Sequence, residues 1–378
     1  MSSRFPPRRA VLPVALAALV AFALPAVAAD EKAPAKKPRP KIEVVFCLDT
    51  TSSMTHLIEG AKQKIWSISN QIAGGKPTPD LKIGLVAFRD RGDAYVTKVI
   101  ELTDDLDAIH AQLREFRAEG GGDSPESVNQ ALDDAVNKVK WSTDKKTLRI
   151  VYLVGDAPPH MDYPDDVKYP ETCKKACEKG IIINTIQCGP DTACQKHWRE
   201  ICKLAEGTYV QIAQTGGVIA IATPFDKELA DINGELARTT LVYGRREMKE
   251  AGEAKRLSAA GLPAPAAADR AAFAAKGGKA AAYDLLDAVK SGKVKLEEVK
   301  KEELPDAMQK MTLKEQKEYL DKLDKRRTEL NKKALDLDKK RGEYIKQELA
   351  KKKDGKDSFD NQVLESLRKQ AKKYDIDY

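Results

Sequence analysis

The chain has 378 residues, six cysteines and a formal charge of +7, from 65 basic against 58 acidic side chains. That length allows two domains with a sizeable core, and so small a basic surplus argues against nucleic acid as a partner. The first stretch, MSSRFPPRRAVLPVALAALVAFALPAVAADEK, sets Arg4, Arg8 and Arg9 before an apolar run from Ala10 to about Leu24, then the small-residue pattern Ala26-Val27-Ala28. It reads as a secretory signal peptide over residues 1–28, because the run is short for a membrane anchor and proline interrupts it. Residues 29–40 are a charged, proline-containing linker. Export would leave a periplasmic or secreted protein that does not span the membrane. An even number of cysteines in an oxidising compartment favours disulfides.

From Lys41 to Gly244, apolar runs alternate with amphipathic segments. Strands are predicted at 42–48, 81–88, 94–102, 148–155, 180–188 and 207–213, and helices near 54–72, 104–116, 125–140, 165–179, 192–205 and 225–240. Runs apolar on both faces and separated by helices imply an α/β fold, a doubly wound and mostly parallel sheet with helices on both faces. In such sheets ligands sit beyond the carboxyl ends of the strands, where the connectivity reverses.

After Gly244 the composition changes. The Ala/Pro/Gly-rich stretch at 245–282 reads as a connector, and 283–378 as a charged helical region. Leu323, Leu330, Leu337 and Tyr344 recur every seven residues, with Leu313 and Leu320 on the neighbouring row, so a long helix is predicted. Asp354-Gly355 can end it, and Ser358 can start a shorter helix with Val363, Leu364, Leu367 and Ala371 on one face. An antiparallel helical hairpin is favoured over an intermolecular coiled coil, because Arg327, Arg341 and Glu348 interrupt the second seam.

Three loops at the strand ends carry the chemistry. CLDTTSSM (47–54) places Asp49, Thr51 and Ser53 on one strand-to-helix turn. EGGGDSPES (119–127) brings three glycines and then Asp123 and Ser124 at the start of a helix. LVGDAPPH (153–160) puts Asp156 directly after an apolar run. A helix cap needs only one such side chain. At about 5 Å and an effective dielectric near 20, each pair of converging carboxylates costs roughly 3 kcal/mol. A cation relieves that repulsion, and oxygen-only ligands point to Mg²⁺, or to Mn²⁺ or Ca²⁺.

DTTSS, GGGDSPES and LVGDAPP together resemble the three loops of the von Willebrand factor type A domain, whose metal-ion-dependent adhesion site begins D-x-[ST]-x-S. The resemblance covers about residues 41–244. It implies a six-stranded sheet whose antiparallel edge strand is AYVTKVIEL, and ligand binding rather than catalysis. By position, Asp49, Thr51, Ser53 and Asp156 match the metal-site pattern. In the middle loop many members have threonine where this chain has Asp123 or Ser124, so either could supply that oxygen. The variant, like the cysteine-containing segment and helical tail, resembles secreted bacterial members.

Among the remaining candidates, Cys188 and Cys194 flank a short Gly-Pro-Asp loop and are expected to form a disulfide. A zinc site from Cys173, Cys177, Cys202 and His197 is conceivable but matches no recognised spacing. Cys47 reads as an inert core residue and His160 as a solvated loop histidine. For Arg89 and Asp90 a structural salt bridge ranks ahead of ligand contact. The favoured function is a non-enzymatic adhesion or adaptor protein that binds a protein ligand through its metal. One alternative is a structural envelope protein in which the tail mediates assembly. Another is a metal-dependent hydrolase, for which no general base or nucleophile motif is evident.

Overall fold

A computed structural model of the chain describes residues 38–122, 124–214, 221–278, 281, 283–351 and 359–378. Strands β1 (Lys41–Asp49), β2 (Asp80–Phe88), β3 (Thr97–Thr103), β4 (Thr147–Gly155), β5 (Ile181–Cys188) and β6 (Tyr209–Ile212) form one sheet in the order β3-β2-β1-β4-β5-β6. Only β3 runs antiparallel to its neighbour. The helices between and after them are α1 (Thr55–Ile72), α2 (Leu106–Glu115), α3 (Val128–Asp133), α4 (Tyr169–Glu178), α5 (Thr192–Leu204), α6 (Asp226–Thr239), α7 (Arg246–Ala260), α8 (Ala264–Ala275), α9 (Leu285–Lys290), α10 (Leu313–Lys351) and α11 (Phe359–Ala371). The expected fold class is what the chain adopts.

The alternation of each strand makes two cores. Val44, Phe46 and Leu48 of β1 and Ile150, Tyr152 and Val154 of β4 face α1, α2 and α11. Val45, Cys47, Val151 and Leu153 face α3, α4 and α5. Every residue of β4 is buried, which is why its sequence shows no polar face.

This arrangement separates the two cysteines expected to bond. Cys188 ends β5 within the first core, and Cys194 lies in the second, beside Trp198. Between them Gly189 takes φ +79°, and Asp191 caps α5 by accepting from the Cys194 amide at 2.6 Å. The turn leaves the two thiols in different cores, and all six cysteines are free thiols. The conceived zinc site is likewise not assembled: among the described residues no three Cys, His, Asp or Glu side chains are placed to hold a metal.

The C-terminal half departs from the connector-and-hairpin expectation. Residues Ala266 to Phe273 of α8 are all buried, and the helix packs against α1, α6 and α10. Small alanine side chains allow that close approach, so the segment that reads as a linker is an interior helix. On α10, Leu330, Ala334 and Leu337 face α6 and α8. The two arginines that interrupt the seam dock the helix. Arg341 donates to Asp226 and Asp269 at 2.7 Å each, and Arg327 donates to Thr239 Oγ1 at 2.9 Å and pairs with Asp284 at 2.5 Å.

Helix α11 lies on the sheet rather than along α10. Val363, Leu364, Leu367 and Ala371 are buried in the first core with Ile376. Tyr152 donates to the Val363 carbonyl at 2.9 Å, and the amides of Asn184 and Gln370 exchange hydrogen bonds. Asp354, Gly355 and Ser358, where the hairpin turn was expected, lie outside the described residues. Residue 244 is therefore not a packing boundary. Leu367→Ala, at 0% exposure, is expected to destabilise the whole sheet by about 2–5 kcal/mol. Denaturant unfolding followed by tryptophan fluorescence should show one transition at a lower midpoint.

Candidate functional site

The sheet reverses direction of growth at β1, which has β2 on one side and β4 on the other. The crevice of a doubly wound fold opens beyond the carboxyl ends of those central strands. Asp49 is the last residue of β1, and Asp156 follows the last residue of β4. Thr51 and Ser53 lie on the turn into α1.

Asp49 is 1% exposed. Its Oδ1 accepts from the Thr51 amide at 2.9 Å and the Thr51 hydroxyl at 2.6 Å, and Thr51 Oγ1 lies 3.2 Å from Ser53 Oγ. The other oxygen, Oδ2, is buried without a partner among the described residues. Burial, with Asp156 beside it, pushes the Asp49 carboxyl up to about 7, against the pull of the Thr51 hydrogen bonds. A Cβ on Gly155 would sit 3.1 Å from that Oδ2, so glycine keeps the space beside the carboxylate open. Asp156 is half-buried, and its Oδ2 accepts from Gln214 Nε2 at 2.5 Å.

The glycine loop closes over the turn. Gly120 O accepts from the Ser52 amide and hydroxyl, and the Glu119 amide donates to Thr50 O. Gly121, at φ +81°, passes so near that a Cβ there would lie 3.1 Å from Thr51 Cβ and 3.4 Å from Glu126 Oε1. Glu126 is the residue missed in the sequence, although it stands inside the same motif. It is 3% exposed, with Oε2 buried and unpartnered. Burial, then the charges of Asp49, Asp90, Asp93 and Asp156, push its carboxyl up to about 9. An acid just after Pro125 looks like a helix-capping residue, which hides it. Ser124 is exposed, and Asp123 lies outside the described residues.

Beside this cluster, His160 is buried rather than solvated. Its Nδ1 pairs with Asp162 at 2.8 Å, and its ring stacks on Tyr163 at 4.0 Å between centroids. Asp90 accepts from Ser127 and from Tyr163, each at 2.8 Å, while Arg89 donates to the Arg117 carbonyl. Arg89 and Asp90 thus brace different loops. Cys47 is buried, its thiol pushed up by desolvation. Helix α3 gives way to a π turn at 134–138, and Thr97 Oγ1 on the edge strand donates to Asp134.

The donor set suits a hard cation. Asp49 and Glu126 carry buried oxygens with no partner among the described residues, Asp156 lies beside Asp49, and the candidate donors are all oxygen, although no three of the described acids are grouped tightly enough to hold an ion as they stand.

Residues 43–224 match the family model described as von Willebrand factor A domain. Von Willebrand factor A domain-containing protein 7 of Mus musculus is 31% identical over 142 residues, which cover 32% of this chain and 15% of that protein. The Homo sapiens protein of the same name is 26% identical over 196 residues, covering 52% and 21%. The chain therefore spans no more than about a fifth of these relatives' length. A solved structure of proximal thread matrix protein 1 from the mussel byssus, with a zinc-occupied MIDAS motif, is 16% identical, covers 46% of this chain and 42% of that one, and has a TM-score of 0.37. The family match begins inside β1 and ends just before α6, taking in all six strands and the acidic loops between them, and residues 43–224 of the chain are a von Willebrand factor A domain.

Proposed function

We propose that this chain is a non-enzymatic protein-binding module of the cell envelope that engages its ligand through a divalent cation, Mg²⁺ or alternatively Mn²⁺ or Ca²⁺. The observation that carries the reading is the buried, unpartnered Oδ2 of Asp49 next to Asp156. Asp49, Thr51, Ser53 and Asp156 would hold the ion, with Asp123 or Ser124 contributing from the glycine loop. When bound, the cation supplies an electrophilic centre for an acidic side chain of a partner protein. The Thr51 hydrogen bonds keep Asp49 oriented, Gly155 keeps its outer face clear, and Gln214 holds Asp156. No proton-transfer group is required for this role, which is why binding is favoured over hydrolysis.

Asp49→Asn retains an oxygen acceptor for Thr51 and removes the charge. Isothermal titration with Mg²⁺ and Mn²⁺ should show binding to the parent and none to the variant. Equal binding by both would remove Asp49 from the site.

The raised carboxyls also set a pH dependence. Free aspartate and glutamate titrate near 3.9 and 4.3 in the unfolded chain. Asp49 and Glu126 stay protonated in the fold up to about 7 and about 9. The metal-free fold therefore binds more protons than the unfolded chain and loses stability as pH rises through those values. Melting curves in chelator should give a lower Tm at pH 8 than at pH 5.5, and saturating Mg²⁺ should narrow or reverse the gap. A metal-free Tm that rises over that interval would count against unpaired buried acids.

Residues 1–28 are proposed to direct export. Protein recovered from the periplasm or medium should begin at about Ala29 on N-terminal sequencing. An intact Met1 there would mean that the segment is retained.

A further inference from the structure

A second site lies at the open edge of the sheet. A cavity of about 460 Å³ sits between β3, the preceding turn and α2, with Arg89 and Tyr95 in its wall. That volume is in the range of small-ligand pockets. Arg89 leaves the carboxyl end of β2, and its side chain is only 5% exposed. Its guanidinium lies 4.6 Å from the Tyr95 ring centroid and donates through Nη2 to the Arg117 carbonyl at 2.8 Å. Its Nε is buried and has no partner among the described residues. The nearest carboxylate, Glu119, stands 3.8 Å away with its side chain 66% exposed, so that pair is solvent-screened.

A buried guanidinium holding one neutral carbonyl is under-compensated, because an ionised group out of water needs an opposite charge or a full set of acceptors. Lys98 and Arg117, both exposed, add positive charge at the rim, and together with Arg89 the three cations outnumber Glu115 and Glu119 by one. Val99, Ile100 and Phe116 give the wall an apolar part, beside the polar Gln112. Among the described residues no strand lies beside the outer edge of β3. The Tyr95 hydroxyl is 2.6 Å from Thr50 Oγ1, which ties the cavity wall to the loop carrying Asp49 and Thr51.

We propose that this cavity is a second ligand pocket, which takes a peptide carboxylate borne next to an aromatic or aliphatic side chain. Arg89 and the rim cations receive the carboxylate, and Ile100 and Phe116 receive the apolar group. The pocket stands on these residues and not on the cation site, so both can be tested separately.

The probe is N-acetylphenylalanine, compared with N-acetylphenylalaninamide, which differs only in lacking the charge. Each is titrated into the isotope-labelled full chain in the presence of chelator, and NMR shifts are followed at Val99, Ile100 and Phe116. The acid is expected to bind at least about tenfold more tightly than the amide, as a charge-assisted hydrogen bond implies. The double variant Lys98→Glu/Arg117→Glu changes exposed side chains only and should lower acid affinity about tenfold while the remaining spectrum is preserved. Equal affinities for acid and amide, no shifts at millimolar acid, or unchanged affinity in the double variant would each overturn the proposal. Chelator removes any contribution from a cation, so failure here leaves the Asp49 reading intact, and failure of Mg²⁺ binding leaves this one intact.

Discussion

The structure depends on a sheet whose central strands are apolar on both faces. β1 and β4 cannot leave either face to water, because a buried strand exposed on one side forfeits about 25 cal/mol for each Å² of apolar surface. Helices from the alternating half of the chain cover one face completely. The other face is finished by α11, which arrives from the end of the chain and places Val363, Leu364 and Leu367 over β4 and β5. Tyr152 ties the two by a hydrogen bond to the α11 backbone. The long helix α10 can then carry many charges, since its role is to hold α6 and α8 rather than to build a core of its own.

Docking α10 requires burying cations, and its arginines Arg327 and Arg341 are each answered by carboxylates. Arg341 meets Asp226 and Asp269, and Arg270 makes a two-point contact with Asp107 at 2.8 Å on each arm. Removing one partner from such a pair leaves an uncompensated charge and costs more than the pair contributes. The strand-end cluster is the opposite case. Asp49 and Glu126 are buried acids with no cation paired to them among the described residues, and burial raises both carboxyls. Two regions of one molecule thus treat buried charge in opposite ways, complete in the scaffold and incomplete at the site.

The alternating first half was legible because apolar runs on both faces and helices between them leave few other arrangements. Its antiparallel edge strand was implied by the family resemblance, while the placement of Asp49, Thr51, Ser53 and Asp156 at the strand ends follows from the apolar runs before them. Composition misled where long-range packing decided the outcome. Alanine at 264–275 has little signal of its own, and only the facing surfaces of α1, α6 and α10 make it interior. Arg327 and Arg341 read as defects in a heptad because their acceptors lie up to 115 positions away. Cys188 and Cys194 are close in sequence, yet the turn between them puts their side chains on opposite faces of the sheet. Glu126 was overlooked because helix starts favour acids, and only burial without a partner distinguishes it.

Both ends of the folded region meet at one edge. Arg39 donates to the carbonyls of Thr78, Pro79 and Gly277, and Lys76 and Asp377 exchange backbone hydrogen bonds. These residues lie at the amino ends of β1 and β2, whereas the acidic loops lie at the carboxyl ends. Nine residues of strand separate the two, about 30 Å at 3.3 Å per residue. A tag, bead or surface attached through the last residues would grip the protein by its base and leave the acidic loops facing outward, so immobilised protein keeps those loops open to solution.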